Sequence, residues 1–487
     1  MATFEDVRGE VKGLGDGGIE LSHDARLLLQ GFTGVSDAEA VELAVMDARW
    51  QLVLGCLGKE DPPFSQGGLV QFRERLIAAD LDRRLLERTV ELARESKAFD
   101  WKKVPKTLRL AVDSRPLAGA GRVEDTFNLL GHAARKIVEL AAAVTGWDAA
   151  AICTFAVAPV LLFPSPKAGM DVDWSDEEQK AEALEELVRQ VRSLHEWVVR
   201  MVPEAQEKAL APYIAALRRV QQQDLEETKD GHIKIRDGVA EDRQASIEDP
   251  EMRHGRKSKS KRFNGYKEHV VTDLDSDLIL ACTVTPANRP EEEGAAPLRD
   301  DVERQGRPVG AVSIDRAHVH SQWVLDLRAH GGGVNCKPWS VRNSHGELFT
   351  KRDFKIDIKR GVITCPAGEV ESFEVGETVE FDPEACGACS RRGECTRSAA
   401  GRGRTVKVAE DEEAQQEYRR LQATPAGRQR LRERTKVEHT LARISGRKGH
   451  RARFRGVRKN VFDLRRAAAI QNMQTQERWE AVRRKAA

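Results

Sequence analysis

The stretch LRLAVDS, residues 108–114, is a short apolar run that stops at Asp113. Turn-forming residues follow it, beginning with Pro116. An apolar run of this length, bounded by such residues, predicts a buried strand. A second run, VGAVSID at residues 309–315, has the same form and stops at Asp315. Both patterns therefore predict a short buried strand that ends in an aspartate.

Aspartates at the carboxyl ends of strands are candidates for a functional site. In α/β sheets, ligands bind in the crevice beyond those ends, and the sheet fixes the backbone of each residue whose side chain lies there. The alternative is structural, because an aspartate after a strand is often only a turn former. Asp113 and Asp315 stay open to both interpretations on this evidence alone. The alternation of strands and helical segments predicts the fold class α/β (α+β).

A third acid stands in LRERTKVEHTLARI, residues 431–444, where the apolar spacing is helical. The apolar residues of the predicted buried face follow the pattern i, i+4 and i+7 and are Val437, Leu441 and Ile444. Glu438 lies about 100° around the helix from the first of them, at the margin of that face. Arg434, one turn earlier, is predicted to lie against it.

Positive charge is concentrated in one part of a chain whose net charge is only +1. Between Arg428 and Lys459 there are thirteen lysines and arginines but only two acids, Glu433 and Glu438. Such a density predicts a nucleic-acid surface, and the alternative is a solvated basic helix. Within residues 451–455 every second residue is an arginine, which predicts an extended segment with its cations on one side.

Three converging carboxylates suit hard divalent ions such as Mg²⁺, which prefer oxygen ligands and keep bound water. In a two-metal arrangement, one ion activates the attacking oxygen and the other stabilises the leaving oxygen of a phosphodiester. This chemistry needs acids to hold the metal and nearby cations to hold the polyanion. Glu438, an acid in a basic surrounding, is consistent with both needs.

The order Asp, Asp, Glu along the chain resembles that of the DDE transposases of bacterial insertion sequences, a family with a ribonuclease-H-like catalytic core. Further segments resemble that family around the three acids and in its N-terminal helical domain. They are LRLAVDSRPLAGAGRVEDTFNLL (108–130), FNGYKEHVVTDLDSDLILACTVTPAN (263–288), RERTKVEHTLARISGRKGHRARFRG (432–456), SDAEAVELAVMDARWQLVLG (36–55) and FSQGGLVQFRERL (64–76).

The resemblance implies a DNA transposase that cleaves and transfers strands, with Mg²⁺ (or Mn²⁺) held by Asp113, Asp315 and Glu438. The implied DNA contacts are all cationic: Arg434, Arg443, Arg447, Lys448, Arg451, Arg453 and Arg455. Leu431 and Ser445 stand where the family signature has a tyrosine and a lysine, and RAHVH follows the second aspartate in place of a Gly-Tyr pair. The implied partner is double-stranded DNA, both the terminal inverted repeats and the target, bound by a homodimer in the active complex.

Four of the eight cysteines lie within about 30 residues, in CPAG and CGACSRRGEC. They are Cys365, Cys386, Cys389 and Cys395. This spacing resembles a four-thiolate zinc site with no open coordination position, which predicts a structural Zn²⁺. The alternatives are four reduced thiols in a loop-rich insertion, or a redox pair formed by Cys386 and Cys389.

The chain is long enough for about three domains. Segments 20–97 are predicted to form an N-terminal helical domain that binds DNA. Residues 105–345 are predicted to be the first part of the catalytic core, with a helical insertion at about 165–228. The cysteine-cluster insertion is predicted at 346–405. The C-terminal helices of the core are predicted at 412–487, together with a basic segment that contacts DNA.

Local motifs predict several element boundaries. Ser36 with Glu39, and Ser175 with Glu178, have the spacing of capping boxes at helix starts. The polar stretch RHGRKSKSKR, residues 253–262, predicts a mobile loop. Two strands joined by a turn at residues 275–277 are predicted over 267–286.

Composition also bears on localisation. The start, MATFEDVRGE, has no secretory pattern, and cysteines without such a signal are typical of a reducing compartment. AAAICTFAVAPVLLF, residues 149–163, is too short for a bilayer span and contains Pro159. We expect a cytoplasmic protein, associated with the nucleoid when bound to DNA. Alternative functions are a transposase-derived DNA-binding regulator without catalysis, a DNA nuclease without strand transfer, or a soluble α/β protein with no role on DNA.

Overall fold

The structure is a computed structural model that describes residues 21–203, 207–258, 260–341 and 348–486. The polar start of the chain, residues 1–20, and the end of the predicted core segment, residues 342–345, lie outside the described residues. The chain forms two compact units. The first comprises Met1–Leu108, Val112–Pro308 and Lys436–Ala487, and the second comprises Arg109–Ala111 and Val309–Thr435.

The first unit begins with a group of helices: α1 (Leu21–Thr33), α2 (Asp37–Met46), α3 (Ala48–Leu54), α4 (Gln66–Ala78) and α5 (Leu81–Glu95). The predicted capping box at the start of α2 is confirmed. The Ser36 hydroxyl accepts from the Glu39 N–H, and the Glu39 carboxylate accepts from the Ser36 N–H. Trp50 and Leu69 are buried in the core of this group together with Phe462, from the C-terminal end of the chain.

Strand β1 (Leu108–Ala118) follows, as the apolar run predicts. Its end was predicted wrongly, because the strand continues five residues beyond Asp113. Arg115 and Leu117 are buried and keep the alternation of inward side chains. At its last residue, the Ala118 N–H donates to the carbonyl of His450 at 2.9 Å, so the backbone stays paired to the end of the strand.

Two helices follow, α6 (Thr126–Thr145) and α7 (Ala149–Phe155). The predicted helical insertion then contains α8 (Glu177–Met201) and α9 (Glu207–Asp224), followed by the antiparallel strands β2 (Leu225–Glu227) and β3 (Ile233–Ile235). The capping box predicted from Ser175 and Glu178 is wrong. Asp176 is the N-cap of α8, and its carboxylate accepts from the N–H groups of Glu178 and Gln179.

Within the described residues no single helix is long and apolar enough to cross a membrane, and one bent pair, α6 with α7, meets that test only by length and composition. Both helices contribute buried side chains to a large hydrophobic core with α8 and α9.

The sheet of the first unit is completed by β4 (Arg253–Arg256), β5 (Arg262–Asp273) and β6 (Ile279–Pro286). The predicted hairpin is confirmed, since β5 pairs antiparallel with β6. The loop predicted over 253–262 is wrong for 253–256, because this polar stretch pairs antiparallel with the start of β5 as an edge strand. β4 and β6 share one edge of β5, and β1 lies on the other.

Gly265 allows β1 and β5 to approach closely. Its φ is +146°, and an added Cβ would lie 2.2 Å from the carbonyl oxygen of Leu117. Any side chain there would therefore separate the two strands. A 3₁₀ turn (Glu291–Gly294) follows β6 and leads into α10 (Ala295–Glu303), which packs against β6.

The second unit contains residues Arg109–Ala111 of β1, then β7 (Val309–Ser313), α11 (Gln322–Ala329) and β8 (Gly333–Asn335), which pairs parallel with β7. We call residues 349–408 the cysteine module. Its elements are β9 (Lys355–Asp357), β10 (Val362–Thr364), β11 (Val370–Ser372), β12 (Thr378–Glu380), α12 (Pro383–Ala388), α13 (Arg392–Cys395) and β13 (Thr405–Lys407). β9, β10 and β11 form one antiparallel sheet, and β12 pairs with β13.

Helices α14 (Glu412–Ala423) and α15 (Pro425–Glu433) end the second unit, and α16 (Thr435–Lys448) and α17 (Val457–Ala486) return the chain to the first. The continuous helix predicted over 431–444 is wrong, because Arg434 is the C-cap of α15. The Thr435 hydroxyl donates to the Arg432 carbonyl at 2.8 Å, a local bond that competes with the helical ladder. The architecture is mixed α/β, as the fold-class prediction requires.

Candidate active site

Asp113 lies in the middle of β1 and is half-buried. The Gly119 N–H donates to the Asn264 carbonyl at 2.8 Å, and Arg115 forms an ion pair with Glu268. Both pairs fit one antiparallel register between β1 and β5, which places Asp113 opposite Val270. Asp113 and Arg115 are two residues apart, so their side chains leave the strand on the same face.

Glu438 lies in the first turn of α16 and is exposed. The predicted buried face of this helix is confirmed at every position: Val437, Leu441 and Ile444. At the start of α16, the Lys436 ammonium donates to the Leu274 carbonyl at 2.7 Å and lies 3.1 Å from the Asp277 carboxylate. The helix that carries Glu438 is therefore fastened to the turn between β5 and β6.

The other end of α16 is fastened by buried charges. The Lys448 ammonium lies 2.5 Å from the Glu268 carboxylate and 3.0 Å from that of Asp463. Asp463 also pairs with Arg466, and Glu268 also pairs with Arg115. Every one of these side chains is at most 9% exposed. The ion pairs thus join β1, β5, α16 and α17 inside the first unit.

Lys448 was predicted to contact DNA, and the structure corrects this, because its ammonium is enclosed by two carboxylates. Burial alone would lower its pKa, but Glu268 and Asp463 raise the pKa above the ordinary value of a lysine. Burial likewise opposes the charge of Asp463, yet Lys448 and Arg466 hold the pKa of that carboxyl well below its ordinary range. Both groups are charged at neutral pH.

Asp315 belongs to the second unit and lies two residues beyond the end of β7. It is exposed and acts as the N-cap of a short 3₁₀ turn, Arg316–His318, where its carboxylate accepts from the Arg316 N–H. The structural alternative for this residue, a turn former after a strand, is therefore realised. Its carboxylate still reaches solvent.

The three predicted acids offer carboxylate oxygens that reach solvent to different degrees: Asp113 is half-buried and the other two are exposed. This suits Mg²⁺, which uses carboxylates and retains several waters. Across residues 21–203, 207–258, 260–341 and 348–486, however, no group of three or more His, Cys, Asp or Glu side chains is arranged so that it could hold a metal ion. The donor chemistry fits the ion, and no preassembled ligand cage accompanies it in the described chain.

The basic segment, residues 443–455, is bound to the edge of β1. The Ala452 N–H donates to the Ala118 carbonyl at 2.6 Å, and the Ala118 N–H donates to His450. Ala452 is buried, and Phe454 packs on the core of the N-terminal helices. The predicted alternation is confirmed for these two inward residues.

The arginines of the basic segment differ in their partners. Arg443 is exposed, whereas Arg447 is half-buried and donates to the Gln474 side chain. Arg451 is exposed and donates to the carbonyls of Gly119 and Ala120 at 3.3 and 3.2 Å. Arg453 donates to the Gly34 and Val35 carbonyls, and Arg455 pairs with Glu248. Arg434, by contrast, is half-buried in the second unit.

The four clustered cysteines surround one cavity of about 30 Å³ in the cysteine module, lined also by apolar side chains such as Phe349 and Phe381. Cys365 follows β10, Cys386 lies in α12, Cys389 caps α12 and Cys395 ends α13. Burial raises the pKa of the Cys395 thiol, Arg404 opposes that rise, and the other three cysteines raise the pKa further. The Ala367 N–H donates to the Cys365 sulfur at 3.3 Å. Cysteine thiolates are soft ligands that suit Zn²⁺, and these four surround a cavity of the size of an ion. Their side chains are, however, not arranged as a group that could hold a metal ion.

Glu268 and Asp463 were missed by the sequence analysis. The available signal was an acidic residue, in KEHVV, just before the apolar part of β5, since a charged residue must be paired where the strand is buried on both faces. Its partners lie too far along the chain to be identified from local pattern.

Residues 364–475 match the family model described as a transposase DDE domain. The matched stretch contains the four clustered cysteines, Glu438 and the basic segment. No curated protein and no solved structure matches the chain. The family match confirms the resemblance to DDE-type transposases and, over residues 364–475, supports a DDE-type transposase.

Proposed function

We propose that the protein is a DNA transposase that performs metal-dependent strand cleavage and strand transfer on an insertion sequence. The observation that carries the proposal is the place of Glu438, inside the matched transposase DDE domain and on a helix fastened at its start to the turn after β5 and at its end to β5, the strand beside β1. Asp113 is on β1, opposite Val270, and so lies between the two points, Glu268 and Leu274, at which α16 is bound. The proposed core is ribonuclease-H-like.

In the proposed mechanism Asp113, Asp315 and Glu438 would hold Mg²⁺ or Mn²⁺, which, when bound, activates the attacking oxygen and stabilises the leaving oxygen. In the first step a water oxygen displaces the 3′ oxygen of a phosphodiester at the end of the element. In the second, the freed 3′-hydroxyl displaces a 3′ oxygen in target DNA, so that one phosphodiester forms as another breaks. Exposed arginines such as Arg443 would bind the phosphates of the strand.

The test is cleavage and joining by the wild-type protein. The gene should be bracketed by short inverted repeats, with duplicated target sequence outside them. DNA that ends in those repeats should be nicked at the repeat end with Mg²⁺ but not with chelator, and then joined to a second duplex. Repeats that are bound but neither cut nor joined would contradict the proposal and indicate a regulator. Cutting without joining would indicate a nuclease.

Binding to DNA is expected to depend on the exposed arginines of the basic segment. Arg443→Ala and Arg451→Ala should each reduce the slope of log K against log salt by up to roughly one unit, because each phosphate contact releases counterions. The measurement is fluorescence anisotropy on repeat-end DNA between low and physiological salt. Arg189→Ala, which removes an exposed cation on α8, is the control and should leave the slope unchanged. Equal slopes for all variants would exclude these arginines from the interface.

We further propose that Cys365, Cys386, Cys389 and Cys395 hold a structural Zn²⁺. The core of the cysteine module consists of few buried side chains, and three of the four thiols, those of Cys365, Cys386 and Cys395, pack against it. A segment of this kind gains folding free energy from the metal, so removing the ion should unfold it. The ion has no role in the chemistry proposed above.

Protein purified without chelator should contain about one zinc per chain by elemental analysis. Cys389→Ser should lose most of that zinc, while Cys56→Ala, at a buried cysteine of the N-terminal helices, should retain it. Chelation should expose four additional thiols to a thiol reagent. Zinc content that is equally low in wild type and Cys389→Ser would show that the four thiols do not bind the ion.

A further inference from the structure

We infer that Glu268 is a positioning residue for the reaction: through paired contacts it fixes the strand of Asp113 relative to the helix of Glu438. The inference rests on the proposed function and concerns residues for which the family match gives no role. Glu268 is on β5, outside the matched stretch, and its side chain is fully buried.

One carboxylate contacts both elements. An oxygen of Glu268 accepts from Arg115 Nε, and the other accepts from Lys448 Nζ, each at 2.5 Å. We call these three residues the Glu268 bridge. Arg115 is on β1, two residues beyond Asp113 on the same face, and Lys448 is the last residue of α16. Any movement of β1 along α16 would break a buried, charge-assisted hydrogen bond at one oxygen or the other.

A contact at the start of α16, made by Lys436, acts together with the Glu268 bridge to determine the position of Glu438 along the sheet. Lys436, at the start of α16, is bound to the turn after β5, and Lys448 is bound to the middle of β5. Glu438 lies between them, ten residues or roughly 15 Å before Lys448 along the helix axis. Asp113, opposite Val270, lies between the same two points of β5. Without the Glu268 bridge, the C-terminal end of α16 would lose its ion pair to β5 and keep its contacts to α17.

The cost of the Glu268 bridge argues for a role beyond stability. Buried ion pairs often add less stability than well-packed apolar side chains of similar size, whereas their directional contacts select one arrangement. A metal site requires its ligands within a few tenths of an ångström, and residues that orient the ligands commonly change metal affinity by about 10–100-fold. Glu268 therefore acts on the metal through the backbone of β1 and α16.

The experiment compares Glu268→Gln with Asp82→Asn. Asp82 has the same burial and also joins two cations, Arg458 and Arg465, but it connects α5 with α17 and touches neither β1 nor α16. Mn²⁺ binding is measured by electron paramagnetic resonance of the free ion, and the Mn²⁺ concentration for half-maximal cleavage is measured in parallel. For Glu268→Gln we expect the Mn²⁺ dissociation constant and the Mn²⁺ concentration for half-maximal cleavage to rise at least about tenfold. For Asp82→Asn we expect both quantities to stay within about twofold of wild type, at a comparable loss of thermal stability.

A Glu268→Gln variant with unchanged Mn²⁺ affinity, or equal shifts in both variants, would overturn the inference and leave Glu268 a purely structural residue. If Glu268→Gln does not fold, Arg115→Lys decides: it keeps the charge but lacks the Nε donor, and it should weaken Mn²⁺ binding in a folded protein. The proposed function has a separate criterion. Asp113→Asn without any effect on Mn²⁺ binding or cleavage would contradict that function, whatever Glu268→Gln does.

Discussion

Asparagine in place of Asp113 is expected to reduce Mg²⁺-dependent strand cleavage by at least about 10³-fold, with binding to repeat-end DNA within about twofold of wild type. The change keeps the size of the side chain and removes one anionic metal ligand. Because Asp113 is only half-buried on β1, the neutral amide should be accommodated without loss of the strand. Removing a negative charge from a surface that meets phosphates should not weaken the association.

The measurement is single-turnover nicking of labelled repeat-end DNA at saturating protein, with DNA affinity determined separately in the absence of metal. Asp237→Asn is the matched control, since it removes an equal charge from a fully exposed aspartate of the same unit. Cleavage by Asp113→Asn at the rate of Asp237→Asn would exclude Asp113 from the metal site. A parallel loss of DNA binding would instead indicate that the strand had been disrupted.

Local pattern was sufficient where one face of an element determines its burial. The apolar run at β1, the stripe beginning at Val437 and the hairpin of β5 and β6 were all predicted from spacing. In each case the hydrophobic periodicity lies within one element, so neighbouring residues contain the information. The Ser36 capping box belongs to the same class, because its two partners are three residues apart.

Prediction failed where the deciding partner is distant in sequence or where two residues can serve equally well. β1 extends beyond Asp113 because Arg115 can be buried, and this depends on Glu268, 153 residues away. Ser175 and Asp176 are both good N-caps, and the choice between them shifts a helix start by one residue. Asp113 and Glu438 are on elements predicted from the sequence, whereas the bridge between those elements was not predictable.

Methionine in place of Lys448 is expected to lower the free energy of unfolding by about 3–5 kcal/mol, the range for breaking a buried ion pair from one side. Two carboxylates, Glu268 and Asp463, would each lose one of their two cations while remaining almost fully buried. A lysine that contacted only DNA would change stability by less than about 1 kcal/mol. The size of the effect thus separates the buried ion pairing seen in the structure from the DNA contact predicted from the sequence.

Urea unfolding followed by tryptophan fluorescence measures the difference, with Lys459→Met as the control. Lys459 lies in the same unit, is 48% exposed and is 3.6 Å from Glu74, so its replacement should cost less than about 1 kcal/mol. Equal losses in the two variants would show that the buried contacts of Lys448 contribute no more than a surface pair. Such a result would also weaken the case for the Glu268 bridge.

The pH dependence of that difference tests its electrostatic origin. The folded pKa of Asp463 is lowered, so its contribution is present above the unfolded pKa, about 3.9, and is lost as pH falls through the folded value. The folded pKa of Lys448 is raised, so its contribution is complete below the unfolded pKa, about 10.4, and is lost as pH rises through the folded value. The stability gap between wild type and Lys448→Met should therefore be constant from about pH 5 to 10 and narrow outside that window. A gap that does not change at acidic pH would indicate that packing of the lysine stem, and not its charge, stabilises the contact.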